Sequence, residues 1–197
     1  MSFPDRDLTL LAPAFLPRAL ELLEAVNARG TSRFAVRPFF AARSPWAQAR
    51  LWWQSRPWLE IDRAIRALEA AGAPSLANVL RDVGPQTGRW ATNALPGSSW
   101  HQWCEALDCF VVDLVTGRAT WDAGHPGYAA YAEEAERRGL TAGLRWRVAD
   151  AVHVQLRAAP APPLETWAIA ESMLDRFGTT EAGAEAALRA HLAARPT

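Results

Sequence analysis

Residues 99–112 constrain the fold more than any other stretch. Ser99-Trp100-His101-Gln102-Trp103-Cys104-Glu105-Ala106-Leu107-Asp108 sets an imidazole and a carboxylate seven positions apart beside two tryptophans, then runs straight into the apolar Cys109-Phe110-Val111-Val112. Residues 107–115 read as a strand, with Thr116-Gly117 as the turn signal that ends it. Seven is odd, so His101 and Asp108 cannot line one face of an uninterrupted strand. His101 is therefore expected in the preceding loop and Asp108 on the strand; a helix, where seven residues make about two turns, stays open on pattern alone.

Around this stretch the pattern alternates between helical and extended. Phe15, Ala19, Leu22, Leu23 and Val26 recur at three- and four-residue steps, Leu16 and Leu20 widen the face, and together they predict a helix over 8–29. Gly30 stops it, and Pro13 and Pro17 blur its start. Residues 34–41 are β-rich, with Pro38 pointing to an edge or a bulge. Ser44-Pro45 supplies an N-cap and a first-turn proline for a helix through Gln48, Leu51 and Trp52. Ile61, Ile65, Leu68, Ala77 and Leu80 continue a helical pattern over 59–82, across Gly72-Ala73-Pro74. Residues 83–99, rich in Gly, Pro, Thr, Asn and Ser, form a loop long enough to serve as a site wall. Further on, 128–138 predicts a short helix closed by Gly139, and 144–156 alternates as one or two strands. Beyond Pro160-Ala161-Pro162-Pro163, helices are expected over 164–176 and 181–193. There are no internal repeats. Helices at both ends around a few central strands predict an α+β fold: a small central antiparallel sheet flanked by helices over 1–159, with a linker and helical C-terminal extension at 160–197.

Composition narrows the function. The 197 residues suit one domain, and 21 basic side chains balance 21 acidic ones. Such a surface has no net field for a phosphate backbone or an anionic membrane, so no nucleic-acid partner is expected. Cys104 and Cys109 are too few and too close for a disulfide framework and read as buried small residues. Acids mixed with Arg6 near the start do not form a signal peptide, and no apolar run approaches the ~18 residues of a span. Synthesis in the cytoplasm without membrane insertion is expected, with any action outside the cell requiring release or export.

The second histidine, in Asp150-Ala151-Val152-His153-Val154-Gln155-Leu156, gives the first a purpose. Val152, Val154 and Leu156 alternate with His153 and Gln155, so a strand buries the aliphatics and turns His153 to the other face. Asp150 sits an odd three positions before His153, so a turn or bulge near 150–152 is needed to bring them together. Two His and one Asp form an accepted zinc set with a position left open for water. Asp150 is the spare carboxylate a hydrolytic site needs as general base, with Glu105 and Asp113 as weaker contenders. The blander reading of His101 and Asp108 is a hydrogen-bonded pair. His125 in Gly-His-Pro-Gly reads as a turn residue, His191 as a solvated side chain, and Trp46, Trp52, Trp53 and Trp58 as core; Trp100, Trp103 and Trp146 are candidate cleft residues.

Ser99-x-His101-x-x-Cys104-x-Ala106-x-Asp108 followed by Asp150-x-x-His153 resembles the Ser-x-His-x-x-Gly-x-Ala-x-Asp and (Glu/Asp)-x-x-His pair of one zinc peptidase family. That family holds the D-Ala-D-Ala carboxypeptidases and the L-alanyl-D-glutamate endopeptidases, phage endolysins and vancomycin-resistance dipeptidases among them. Arg43, at a strand end before the helix that carries Gln48, is similar to the family's arginine, and the resemblance spans roughly 34–157. It implies a Hedgehog/DD-peptidase-like fold in which His101, Asp108 and His153 bind Zn2+ and Asp150 is the general base. Arg43 would hold an oxyanion or a substrate carboxylate, and Ser99, Gln48 and Trp146 would face substrate. The implied activity is hydrolysis of an amide in the peptidoglycan stem peptide, with the Asp-x-x-His form closer to the endopeptidase branch, acting as an endolysin does on the cell wall. A D-Ala-D-Ala carboxypeptidase or dipeptidase and a non-catalytic peptidoglycan-binding relative are the alternatives; the C-terminal helices are left for targeting or self-association. Cys104 stands where the motif has glycine, which strains the backbone if a glycine dihedral is required there. The segment 57–92, between the Arg43 helix and the central motif, is long for the family's short forms.

Overall fold

The computed structural model describes residues 6–194. Among these described residues seven α-helices and five strands follow in the order α1 (Leu16–Gly30), β1 (Phe34–Phe40), α2 (Pro45–Trp53), α3 (Trp58–Ala70), α4 (Pro74–Val83), β2 (Ala106–Asp113), β3 (Arg118–Thr120), α5 (Pro126–Arg137), β4 (Thr141–Ala142), β5 (His153–Gln155), α6 (Thr166–Phe177) and α7 (Ala184–Ala193). The fold is α+β, as the pattern of elements predicts. None of the described helices is long and apolar enough to cross a membrane. The chain divides into two compact units that interleave along the sequence, one of residues 6–42 and 104–160, the other of 43–103 with the chain from 161 onward. The C-terminal helices thus group with residues 43–103.

The first unit holds the whole sheet, which is antiparallel throughout, in the order β1-β2-β5-β4. β2 is its axis. Along one edge it pairs with β1, and the register slips between Pro38 and Phe40, where proline cannot donate to the ladder. Its other edge is shared: Ala106–Asp108 pair with β5 and Val111–Asp113 with β3. Period-2 alternation sorts the faces of β2. Leu107, Cys109 and Val111 are fully buried. They lie on the α5 side: the Tyr131 hydroxyl donates to the Leu107 carbonyl at 3.3 Å, and a side chain at Gly127 would meet Val111 at 2.9 Å. Ala19, Leu22 and Val26 form the buried stripe of α1, with Phe15 buried just before its first turn, whereas Leu20, expected to widen that face, is 50% exposed. Asp108 falls between these positions and so on the opposite face.

The second unit is helical. α4 packs against α2, α3 and α6, and α6 against α7. Ser44 caps α2 by accepting the Ala47 amide at 3.2 Å, the N-cap that Ser-Pro announces. The helical pattern over 59–82 resolves into two helices, because Gly72 takes φ +74° and Pro74 begins a new first turn. The loop after α4 is tied down along its length. Arg56 stacks between the rings of Trp52 and Trp90, at 4.2 and 3.8 Å, and donates to the Thr92 carbonyl at 2.8 Å. Gln48 Nε2 donates to the Ala94 carbonyl at 2.7 Å. Gly97 adopts φ +86° where an added Cβ would lie 2.3 Å from Ile169, so only glycine fits.

Two tryptophan and histidine expectations are corrected. Trp46, Trp52 and Trp53 are core, but Trp58 is 65% exposed at the start of α3, where the first turn projects outward. His191 is not solvated: its Nδ1 lies 2.9 Å from Asp175. Of the one or two strands expected over 144–156 there is one, the three-residue β5, preceded by a 3-10 turn at Gly143–Arg145 and irregular chain.

Candidate metal centre

Asp108 and His153 stand directly opposite each other where β2 pairs with β5. Their side chains therefore rise on the same face of the sheet, and Asp108 Oδ1 lies 2.9 Å from His153 Nδ1. His101 sits in a turn of residues 100–104 just before β2. The turn is built by Gln102 N–H donating to Ser99 O and Trp103 N–H to Trp100 O. One donor atom each from His101, Asp108 and His153 lies within 4.8 Å of the others. All three residues are buried, at 2, 8 and 8% exposure. They form a group able to hold a metal ion. The donor set fits that use: two imidazoles and a carboxylate supply three ligands and leave a coordination position open.

The electrostatics of His153 favour its charged form. Burial pulls its pKa down, but the hydrogen bond and charge of Asp108, with the charge of Asp150 and the Gln155 contact, outweigh that and raise it above the ordinary histidine value. Trp146 tilts against the ring at 5.2 Å between centroids.

Asp150 reaches this region through the turn the odd spacing requires. Its carbonyl accepts the His153 amide at 3.3 Å, and its own amide donates to Gly143 O at 3.0 Å. The Asp150 side chain is exposed. Gly143, which pattern reading did not single out, is what permits the turn: a Cβ there would lie 2.5 Å from the Asp150 carbonyl and 3.2 Å from His153 Cβ.

Arg43, 6% exposed, follows β1, and its amide donates to the His101 carbonyl at 3.1 Å. Its Nη1 donates to Gln48 Oε1 at 2.9 Å. Gln48 is fully buried, and its amide group faces protein on both ends, with Oε1 also accepting from Gln102 Nε2 at 3.0 Å. Gln102, in turn, accepts the Gly97 and Ser99 amides on Oε1. Arg43, Gln48, Gln102 and the loop at 92–99 are thus one hydrogen-bonded network. Ser99 Oγ accepts the His101 amide at 3.4 Å. Gln102 is a second residue that sequence reasoning passed over, although it lies inside the motif.

Cys104 occupies φ +61°, the left-handed region that glycine favours, and is fully buried. Cys109 is also buried, and neither cysteine forms a disulfide. Burial pushes the Cys109 thiol well above its usual range.

No protein-family model matches the chain, and a search of curated proteins returns no match.

Proposed function

We propose that the protein is a zinc-dependent murein peptidase of the Hedgehog/DD-peptidase-like type, cutting an amide in the peptidoglycan stem peptide, with the L-Ala–D-Glu bond preferred over D-Ala–D-Ala. The observation that carries this reading is the meeting of His101, Asp108 and His153, distant along the chain, within 4.8 Å. When bound by these three, zinc would polarise the scissile carbonyl and lower the pKa of a water to about 7.

The chain's own groups then divide the work. Asp150, exposed and tied by backbone to His153, is the acid–base residue: its carboxylate takes the proton of the attacking water and returns it to the leaving amine. Arg43 holds developing negative charge or a substrate carboxylate through its fixed fork of donors. Gln48, with its amide committed to Arg43, Gln102 and Ala94, acts as a positioning residue for that fork rather than as a substrate contact. Trp146 shields His153 and offers an apolar edge to substrate.

Purified protein incubated with murein should release peptide stems in a chelator-sensitive reaction, with the bond cut read by mass spectrometry of defined stem peptides. Asp150→Ala should lower turnover at least 100-fold while leaving zinc content unchanged. Full activity in that variant would remove Asp150 from the mechanism. Murein binding without any released product would assign the protein to a non-catalytic role.

A further inference from the structure

Gln155 is 1% exposed and shares a face of β5 with His153. Its amide orientation is determined by its surroundings. Nε2 donates one hydrogen to the Arg157 carbonyl at 2.6 Å and the other to the Ala159 carbonyl at 2.8 Å. Turning the group over would set Oε1 against two carbonyl oxygens, which no proton could reconcile. Oε1 therefore faces His153 Nε2, 3.0 Å away, and only as an acceptor. The nitrogen it faces must carry hydrogen. The remaining nitrogen, Nδ1, is the one beside the Asp108 carboxylate.

We infer that Gln155 is a positioning residue that selects Nδ1 as the metal-binding nitrogen of His153, by holding the proton on Nε2. The inference rests on the metal reading given above. Arg157 and Ala159 hold the amide through their backbone carbonyls, so the selector is the bend after β5 rather than a charged side chain. An imidazole held this way keeps its Nε2 hydrogen and one ring orientation before any ion arrives, so the proton an ion displaces is the one on Nδ1 beside Asp108. Loss of such an outer hydrogen bond typically weakens metal affinity by roughly 10–100-fold.

The test uses the full-length chain labelled with 15N-histidine and titrated with zinc, its four histidines assigned by single His→Gln variants. Long-range 1H–15N spectra should show His153 Nδ1 moving to a coordinated shift while Nε2 keeps its proton. In Gln155→Met, close in shape but with neither acceptor nor donors, zinc affinity by chelator competition should fall by roughly 10–100-fold. The His101 signals should keep their wild-type shifts. Zinc bound through His153 Nε2 in the wild type, or an affinity in Gln155→Met within twofold of wild type, would overturn the inference and leave the metal reading standing. A wild type that takes up no zinc would overturn both. If Gln155→Met does not fold, the wild-type spectrum alone decides.

Discussion

Single residues here carry strain and charge whose sign can be worked out. Cys104 holds φ +61° with its side chain fully buried. Replacing it by alanine keeps the strained dihedral and loses the sulfur, whereas glycine also releases the strain. Cys104→Gly should therefore be more stable than Cys104→Ala by about 1 kcal/mol in denaturant unfolding, the reverse of the usual order in regular structure. His153 makes the second case. Its folded pKa is raised, because Asp108 outweighs burial, so the pair stabilises the metal-free fold fully below the unfolded value of about 6.5 and loses that contribution as pH rises through the folded pKa. The stability difference between metal-free wild type and Asp108→Asn should accordingly be largest near pH 6 and shrink toward pH 9. Zinc competes with the same proton, so its affinity should rise over the range in which the pair weakens.

Elements place these residues, and small ones matter more than their length implies. β5 has three residues, yet its register against β2 is what sets His153 opposite Asp108. A slip of one position would turn His153 to the buried side that Val154 occupies. The turn leading into β5 depends on Gly143, where any side chain collides with the Asp150 carbonyl. Gly143→Ala should cost about 1–3 kcal/mol by denaturant titration, as overpacking generally does, and should weaken zinc binding because His153 Cβ is also in the way. Retained affinity in that variant would show that the turn can relax without moving the ligand. Much of this level was legible beforehand: the α1 stripe, the Ser44 cap, the irregularity at Pro38, and a turn before His153 all follow from local chemistry. The three-residue β3 and two-residue β4 were not, because segments that short have no period to read and exist only through their partners.

At the scale of the whole molecule, ligand binding and folding are one equilibrium. A metal held by His101, Asp108 and His153 in the folded chain should raise stability by about 2.7 kcal/mol at a hundredfold excess over Kd. For a chain of this size that is a rise in Tm of roughly 5–10 °C. Thermal unfolding with and without zinc measures it, and Asp108→Asn or His153→Gln should abolish the shift. What the sequence determined by itself was local: which stretches form helix or strand, where proline and glycine interrupt them, and which residues have metal-ligand chemistry. The odd spacing of His101 and Asp108 excluded one uninterrupted strand face and led to the expectation of His101 before the strand and Asp108 on it, but a helix stayed open until β2 was seen to begin at Ala106. Tertiary structure alone decided that His153, 45 residues beyond Asp108, lands opposite it, that Gln155 is locked with its oxygen toward the ring, and that Gln48 faces Arg43. Those outcomes depend on strand register and on backbone carbonyls brought in by distant segments, and no periodicity within a single segment encodes them.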